Sequence, residues 1–183
     1  MTILDWIEQG AGFLGIIAGI WAASRKSDKQ LMQGFMLSNL LVSTQMLLAG
    51  AYATAGSGLV SAIRLYFANK TRATWVMLVF MVLLVIQWWA VGRWVELFLV
   101  LGSLLGTYGY FKLEGYRLRL SLILMNVFWC PVLVYFDAYL PALFYATNSA
   151  LMIPALRKDW REKNGAAQGE EPQKTVTEKN LVS

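Results

Sequence analysis

Two asparagines lie inside long apolar stretches of this chain, and their side chains are suited to hold a polar molecule. Asn39 and Asn126 are 87 positions apart. A strongly polar residue inside an apolar segment is costly to bury, so it is a candidate functional residue by default. Two amides that face one cavity can hydrogen-bond a polar solute. Each amide alone can instead bond to a neighbouring helix, and the sequence leaves both interpretations open.

The stretch "NVFWCP", Asn126 to Pro131, adds two further groups beside the second amide. Trp129 supplies an aromatic face. Pro131 lacks a backbone donor, so it frees a carbonyl one turn earlier and predicts a kink. Such a break is tolerated in a membrane helix where a neighbouring helix or a cavity satisfies the backbone. The alternative is an ordinary kinked packing helix.

A second polar group is predicted on one face of a helix. Ser57, Ser61 and Arg64 have i, i+4, i+7 spacing, and Asn148 stands 87 positions after Ser61. Arg64 can line an aqueous path or bind an anion, or it can extend to the lipid headgroups or pair within the membrane. The predicted substrate-binding residues are therefore Asn39, Ser61, Arg64, Asn126, Trp129 and Asn148.

Catalytic and metal chemistry find little support in the composition. The chain has no histidine and one cysteine, which removes the commonest general base and metal ligand and excludes an internal disulfide. Carboxylates within the apolar segments are few and unpaired, and we find no nucleophile-elbow, phosphate-loop or dinucleotide-binding motif. We expect no enzyme, no cofactor and no metal.

The elements that position these residues are predicted to be membrane helices. Hydrophobic residues make up 57% of the 183 positions, and mean hydropathy is +0.50, which is typical of a polytopic membrane protein. Seven apolar segments are bounded by charge, Gly or Pro, and they predict an all-α fold with seven transmembrane helices: Ile3–Ala23, Leu31–Ala51, Ala55–Ala68, Thr74–Val91, Trp94–Phe111, Leu118–Phe136 and Tyr139–Leu156.

The charges predict the orientation of these segments. With the N-terminus outside, fourteen of the sixteen lysines and arginines fall on the cytoplasmic side, and omission of the third segment spoils this pattern. Asp5 and Glu8 precede the first apolar run and basic residues follow it, so it is predicted to be a retained span rather than a signal peptide. Membrane orientation explains the basic charge, so lipid is the expected partner and nucleic acid is not.

An internal repeat is predicted from the same shift of 87 positions. "LGIIAGIW" at Leu14–Trp21 is echoed by "LGSLLGTY" at Leu101–Tyr108. The shift advances four spans, so the two units point the same way. We expect a seven-span domain over 1–160, divided into repeat 1 (about 3–72), a linker helix (73–91) and repeat 2 (92–160), which is the organisation of SWEET-type transporters. Residues 161–183 lack an apolar core and are predicted to be a disordered cytoplasmic tail.

Four glycines recur in the repeat, at Gly15 and Gly19 and again at Gly102 and Gly106. Small residues one turn apart let helices approach closely in lipid, where no hydrophobic effect drives them together. We expect tight packing within each three-helix unit, while a sliding surface for conformational change is the alternative.

The chain also resembles a known family. Gln9–Gly10, "AIR" at Ala62–Arg64, "TRATWVM" at Thr71–Met77 and "VELF" at Val95–Phe98, followed by Gly102, are similar to the bacterial inner-membrane proteins of the YgjV family. The resemblance covers most of residues 5–160. It implies a bacterial inner-membrane location and a multi-span fold, and it implies no activity.

Two functions are compatible with these patterns. The first is a small-solute transporter or facilitator that works by alternating access between the two units. The second is a non-transporting membrane protein that acts in assembly or regulation through its cytoplasmic loops. The repeat favours transport, a small polar solute is then the expected partner, and the sequence leaves a homo-oligomer open.

Overall fold

The computed structural model describes residues 3–91, 94–137 and 139–169, and within these ranges all regular secondary structure is helical. There are seven helices in this described part of the chain: α1 Ile3–Ala23, α2 Asp28–Leu48, α3 Tyr52–Lys70, α4 Thr74–Val91, α5 Glu96–Lys112, α6 Gly115–Tyr135 and α7 Tyr139–Gly169. The predicted all-α fold and its seven helices are confirmed.

The helices form where the apolar runs are long, and short polar or glycine-containing turns separate them. The turn between α2 and α3 contains Gly50 at a φ of 75°, a left-handed conformation that glycine adopts without steric cost. Asp28 occupies the first turn of α2, where its carboxylate interacts favourably with the helix dipole. The third apolar segment, the shortest on the sequence, is a helix of 19 residues.

The helices pack as two triplets with one helix between them in the chain. α1, α2 and α3 pack on one another in sequence order, as do α5, α6 and α7, while α4 packs mainly on α5. The two triplets meet where α1 contacts α7 and where α3 contacts α5. A shift of 87 residues carries the bounds of α2 onto those of α6 and the first residue of α3 onto the first residue of α7.

The buried apolar core occupies one half of the bundle. Its members lie near the ends of α1, α3 and α5 and near the beginnings of α2, α4 and α6, including Ala23, Leu31, Leu65, Phe111 and Leu118. Because consecutive helices run in opposite directions, all these positions lie at one end of the molecule. The core therefore fills that end of the bundle.

The outer surface of the bundle is apolar. Trp75, Val82, Ile86 and Trp89 on α4 are all more than half exposed. By length and hydropathy, α2 and α6 are long and apolar enough to cross a membrane. In the most apolar 18-residue stretch of each helix, only 28% (α2) and 33% (α6) is buried inside the protein. Core helices of soluble proteins are mostly buried, so these two helices present an apolar surface of the kind that contacts lipid.

The C-terminal part of α7 differs from the sequence prediction. Disorder was expected from residue 161, but α7 continues to Gly169, so the prediction is wrong for 161–169, and residues 170–183 lie outside the described part. The physical reason is that Arg, Glu, Lys, Ala and Gln favour helix even where no apolar face is buried. α6 runs through Pro131 without interruption, and the kink there stays a prediction.

Candidate functional site

A polar cavity lies at the seam between the two triplets. Its volume is about 70 Å³, and we call it the central cavity. All six residues that the sequence predicts for substrate binding line it: Asn39 from α2, Ser61 and Arg64 from α3, Asn126 and Trp129 from α6, and Asn148 from α7. The structure therefore brings together side chains that are up to 109 positions apart, whereas their role in binding stays a prediction.

Arg64 is the charged group of the cavity. Its side chain is 7% exposed, so it does not reach the surface as a headgroup contact would require. Nη1 donates a hydrogen bond to Thr107 Oγ1 at 2.9 Å, and the guanidinium carbon lies 5.8 Å from the centre of the Tyr110 ring. Nε has no hydrogen-bond partner within the described residues. The cation is thus held by a hydroxyl and a ring face but faces no carboxylate there.

Thr107 positions this guanidinium from the second triplet. It is fully buried on α5, and its hydroxyl donates to Ser103 O at 2.6 Å. That donation leaves the oxygen lone pairs of Thr107 available to accept from Arg64. Arg64 therefore joins α3 of the first triplet to α5 of the second.

Asn126 has its orientation set by α7. Its Nδ2 donates to Tyr145 O at 3.3 Å and to Ser149 Oγ at 2.9 Å. Ser149 Oγ itself donates to Tyr145 O at 3.0 Å, so its oxygen accepts from the amide. A carbonyl only accepts, so the amide nitrogen must face Tyr145 O. The amide oxygen of Asn126 is left buried with no partner in the described chain.

The other predicted residues differ in how far the protein satisfies them. Asn39 donates Nδ2 to the carbonyl of Phe35, one turn earlier on α2, at 2.8 Å. Asn148 is 2% exposed, and its Oδ1 lacks a hydrogen-bond partner among the residues described. Trp129 Nε1 is likewise buried without a partner there, and the indole packs 5.3 Å from the Tyr145 ring. Of the six buried side-chain atoms without a partner in the described residues, four belong to residues that line this cavity, while those of Arg25 and Asp28 lie elsewhere.

A second opening adjoins the central cavity. We call it the side cavity; its volume is about 120 Å³, and Ser61, Arg64 and Trp129 line both spaces. Ser57 and Gln87 also line it, so it extends towards the end of the bundle where α3 begins and α4 ends. The polar stripe of α3 thus runs from that end of the molecule to the central cavity.

Several residues of the site carried no usable sequence signal. Tyr110 and Tyr145 line the central cavity, yet tyrosines of membrane proteins commonly lie at the interface with water, which hides a role inside. Ser38, also at the cavity, donates to Gly15 O on α1 at 2.7 Å. Thr107 stands beside Gly106 in the fifth apolar segment, and its polarity there is the one signal that would have found it.

The four repeated glycines all lie at helix contacts. A Cβ at Gly15 would lie 2.8 Å from the Val42 side chain of α2, and one at Gly102 would lie 2.8 Å from Trp129 Cδ1 of α6. Gly106 faces Met125 on α6, while Gly19 faces Phe144 on α7. Three of the four contacts are within a triplet, and the Gly19 contact joins the two triplets instead.

The opposite end of the seam is closed by a buried cation. Arg119 on α6 is fully buried, with Nε 3.2 Å from Asp159 Oδ2 and Nη1 donating to Arg25 O at 3.0 Å. Nη2 donates to Lys26 O and lies 3.6 Å from Asp28 Oδ1. We call these groups the Arg119 cluster. On the sequence, Arg119 is one of the fourteen basic residues on the predicted cytoplasmic side, and no pattern marks it as a link between the triplets.

No three His, Cys, Asp or Glu side chains converge in the residues that the structure describes. The site consists instead of amides, hydroxyls, aromatic rings and one guanidinium. Such groups bind and orient a polar molecule by hydrogen bonds and charge.

Comparison with known proteins gives a consistent result. A family model described as a bacterial inner membrane protein, Imp-YgjV, matches residues 6–163. The inner membrane protein YgjV of Escherichia coli (strain K12) is 26% identical over 129 residues, which cover 68% of each chain. No solved structure matches the chain. The resemblance noted from "AIR" and "TRATWVM" is confirmed.

Proposed function

The chain belongs to the YgjV family of bacterial inner membrane proteins, and from the cavity inside it we propose that it carries a small polar solute across the membrane by alternating access. The observation that carries the proposal is the convergence of six predicted polar and aromatic residues on one cavity at the seam of the two triplets. A non-transporting bundle has no need of such a cavity, because a filled apolar seam is less costly to form.

The proposed architecture is seven spans arranged as two parallel repeats. Support comes from the coincidence of α2 with α6 under the 87-residue shift, and from the packing of the triplets. The shift pairs α1 with α5 and α3 with α7. The contact of α3 with α5 therefore corresponds to the contact of α7 with α1. Repeats related in this way form transporters whose substrate site lies at the repeat interface, near the middle of the bilayer.

The proposed orientation has the N-terminus outside and the C-terminus in the cytoplasm. The lysines and arginines support it, since fourteen of sixteen then face the cytoplasm. In this orientation the side cavity faces outward, and the apolar core together with the Arg119 cluster closes the cytoplasmic end. The proposed cycle opens that end and closes the side cavity, while the central residues remain in place.

Cysteine accessibility tests the proposal without knowledge of the solute. The native Cys130 is replaced by Ala, and Ser61, which lines both cavities, is replaced by Cys. A membrane-impermeant thiol reagent is applied to right-side-out and to inside-out membrane vesicles. We expect S61C to react from both sides, because each state of the cycle opens the cavity to one side.

The matched control is Ser43, a buried serine on α2 that does not line the cavity and donates to Asn39 O at 2.7 Å. S43C should remain unreactive from either side. Reaction of S61C from one side only, or from neither, would contradict alternating access and favour the assembly or regulatory role.

A further inference from the structure

Arg64 is a buried cation that has no counter-ion among the described residues. The ion pairs of the described residues involve Arg72 and Arg119, and none involves Arg64. Thr107 and the Tyr110 ring are the contacts of the guanidinium, and its Nε is buried without a partner in the described part. A buried cation without a counter-ion is strongly disfavoured, so this site is suited to accept one negative charge from a ligand.

Two amide oxygens at the same cavity need donors. Asn126 Oδ1 and Asn148 Oδ1 are buried and unpartnered in the residues described. The Asn126 amide cannot simply rotate to hide its oxygen, because Nδ2 is held by Tyr145 O and Ser149 Oγ. A bare anion such as chloride satisfies Arg64 but supplies no donor to these oxygens. A ligand that carries a hydrogen-bond donor as well as a negative charge satisfies both the cation and an amide oxygen directly, which chloride does not.

The size of the central cavity restricts the ligand further. Its volume of about 70 Å³ is roughly half that of a 150 Å³ apolar cavity that accepts benzene. A cavity of this volume holds only a few heavy atoms, and the Trp129 and Tyr145 rings, which pack on each other with centroids 5.3 Å apart, form part of its wall. A single guanidinium also balances one negative charge and not two.

These three constraints identify a chemical class. We propose that the central cavity binds a small hydroxycarboxylate, with the carboxylate at Arg64 and Trp129 Nε1 and a hydroxyl group donating to Asn148 Oδ1. This assignment rests on the proposed transport function and names its substrate class. A zwitterionic amino acid has no net charge to balance Arg64, so the monoanion is favoured.

Thermal unfolding of the full chain in lipid nanodiscs tests the assignment. Sodium glycolate is titrated at constant ionic strength against sodium chloride, and sodium acetate, glycine and sodium phosphate are the comparison ligands. A ligand that binds the native state raises the midpoint as its concentration rises. We expect glycolate to bind roughly fivefold more tightly than acetate, because acetate lacks the donor.

Two variants assign the effect to the cavity. R64Q should abolish the glycolate-dependent shift, and R117Q, which removes an exposed arginine on α6, should retain it. N148L should bind glycolate and acetate equally, since the orphan acceptor is gone; this variant keeps the test valid where R64Q fails to fold. An unchanged glycolate preference in N148L, or an unchanged shift in R64Q, would overturn the assignment.

The ligand series distinguishes the two proposals. A larger shift with glycine would overturn the charge argument, and a shift with phosphate alone would overturn the carboxylate. If S61C reacts from both sides while glycolate causes no shift, the substrate class is wrong and transport stands. If S61C fails to react with the thiol reagent from one or both sides and glycolate causes no shift, both proposals fail.

Discussion

Within the described residues, Arg64 has one direct hydrogen bond, and its partner is a neutral hydroxyl. Thr107 accepts from Nη1 at 2.9 Å, while the hydroxyl hydrogen is committed to Ser103 O. Thr107 is fully buried and does not line the central cavity, so its role is to position the guanidinium rather than to touch a solute. At this scale, one oxygen atom decides how a buried charge is oriented.

Replacement of Thr107 by Val keeps the shape and removes that oxygen. We expect T107V to lower stability by about 1–3 kcal/mol, because a buried charged donor loses its partner. The measurement is thermal unfolding in nanodiscs. T44V is the control, because Thr44 is exposed and bonds only to its own helix, at Leu40 O, and its change should stay within about 0.5 kcal/mol. Equal stability of T107V and T44V would contradict the role of Thr107.

The residues found from sequence share one property that the missed residues lack. Asn39, Asn126 and Arg64 are polar or charged within apolar segments, and burial of such groups demands an explanation. Tyr110 and Tyr145 are amphipathic, so they are compatible with core, interface or cavity alike. The packing of distant helices decides in which of these three locations a tyrosine lies. That packing is not predictable from a single sequence.

Helix contacts of the second triplet depend on glycine at α5. A Cβ at Gly102 would lie 2.8 Å from Trp129 Cδ1 and 3.1 Å from Met125 O, which is backbone and cannot move aside. The α5–α6 contact therefore sets where Trp129 stands at the edge of the cavity. At this scale, a missing side chain on one helix places a binding group on the next.

An alanine scan of two helical glycines tests this dependence. G102A should destabilise the protein by about 1–3 kcal/mol, the cost of overpacking a filled contact. G56A is the matched control on α3: a Cβ there meets nothing within 4 Å, and alanine has the higher helix propensity, so stability should hold or rise by about 1 kcal/mol. Thermal unfolding of both variants provides the comparison, and a G102A variant as stable as G56A would refute close packing.

Helix positions were predictable because length and hydropathy dominate in an apolar chain. The predicted segments Ile3–Ala23 and Thr74–Val91 coincide with α1 and α4. The extension of α7 to Gly169 was missed, since polar helix depends on propensity and not on an apolar run. The contact of Gly19 with Phe144 was also beyond prediction, because a small-residue stripe shows that a helix packs closely but not against which partner.

Among the described residues, the buried ion pair that joins the two triplets, Arg119 with Asp28, lies at one end of the molecule. The Arg119 cluster joins α6 and α7 to the α1–α2 turn, and Gly115 N of α6 donates to Asp28 Oδ2 of α2 at 2.6 Å. The opposite end carries the side cavity instead. In the proposed cycle, these ion pairs stabilise the state that is closed to the cytoplasm.

Weakening the Arg119 cluster should shift the population of states. D28N removes the carboxylate that Arg119 contacts across the two triplets, and we expect S61C in this background to react faster from the cytoplasmic side and more slowly from the outside. A change of about 1 kcal/mol corresponds to a roughly fivefold shift in the ratio of states.

The control for this shift is the exposed pair of Arg72 and Glu114, at the same end of the bundle. Exposed ion pairs contribute little, so E114Q should leave the reaction rates unchanged. Equal behaviour of D28N and E114Q would show that the Arg119 cluster does not control access.

The unpaired charge of Arg64 also has an electrical consequence. In the proposed cycle the empty central site carries one positive charge, whereas a site occupied by a monoanion is neutral. A full elementary charge crossing the membrane potential is worth about 2.3 kcal/mol per 100 mV, and a part of that acts on a charge that changes its exposure within the field. The membrane potential would then act on the conformational change of the protein without solute, and would leave the conformational change of the solute-bound protein unaffected. The membrane potential itself would set the rate of turnover through one arginine that has no carboxylate beside it in the described structure.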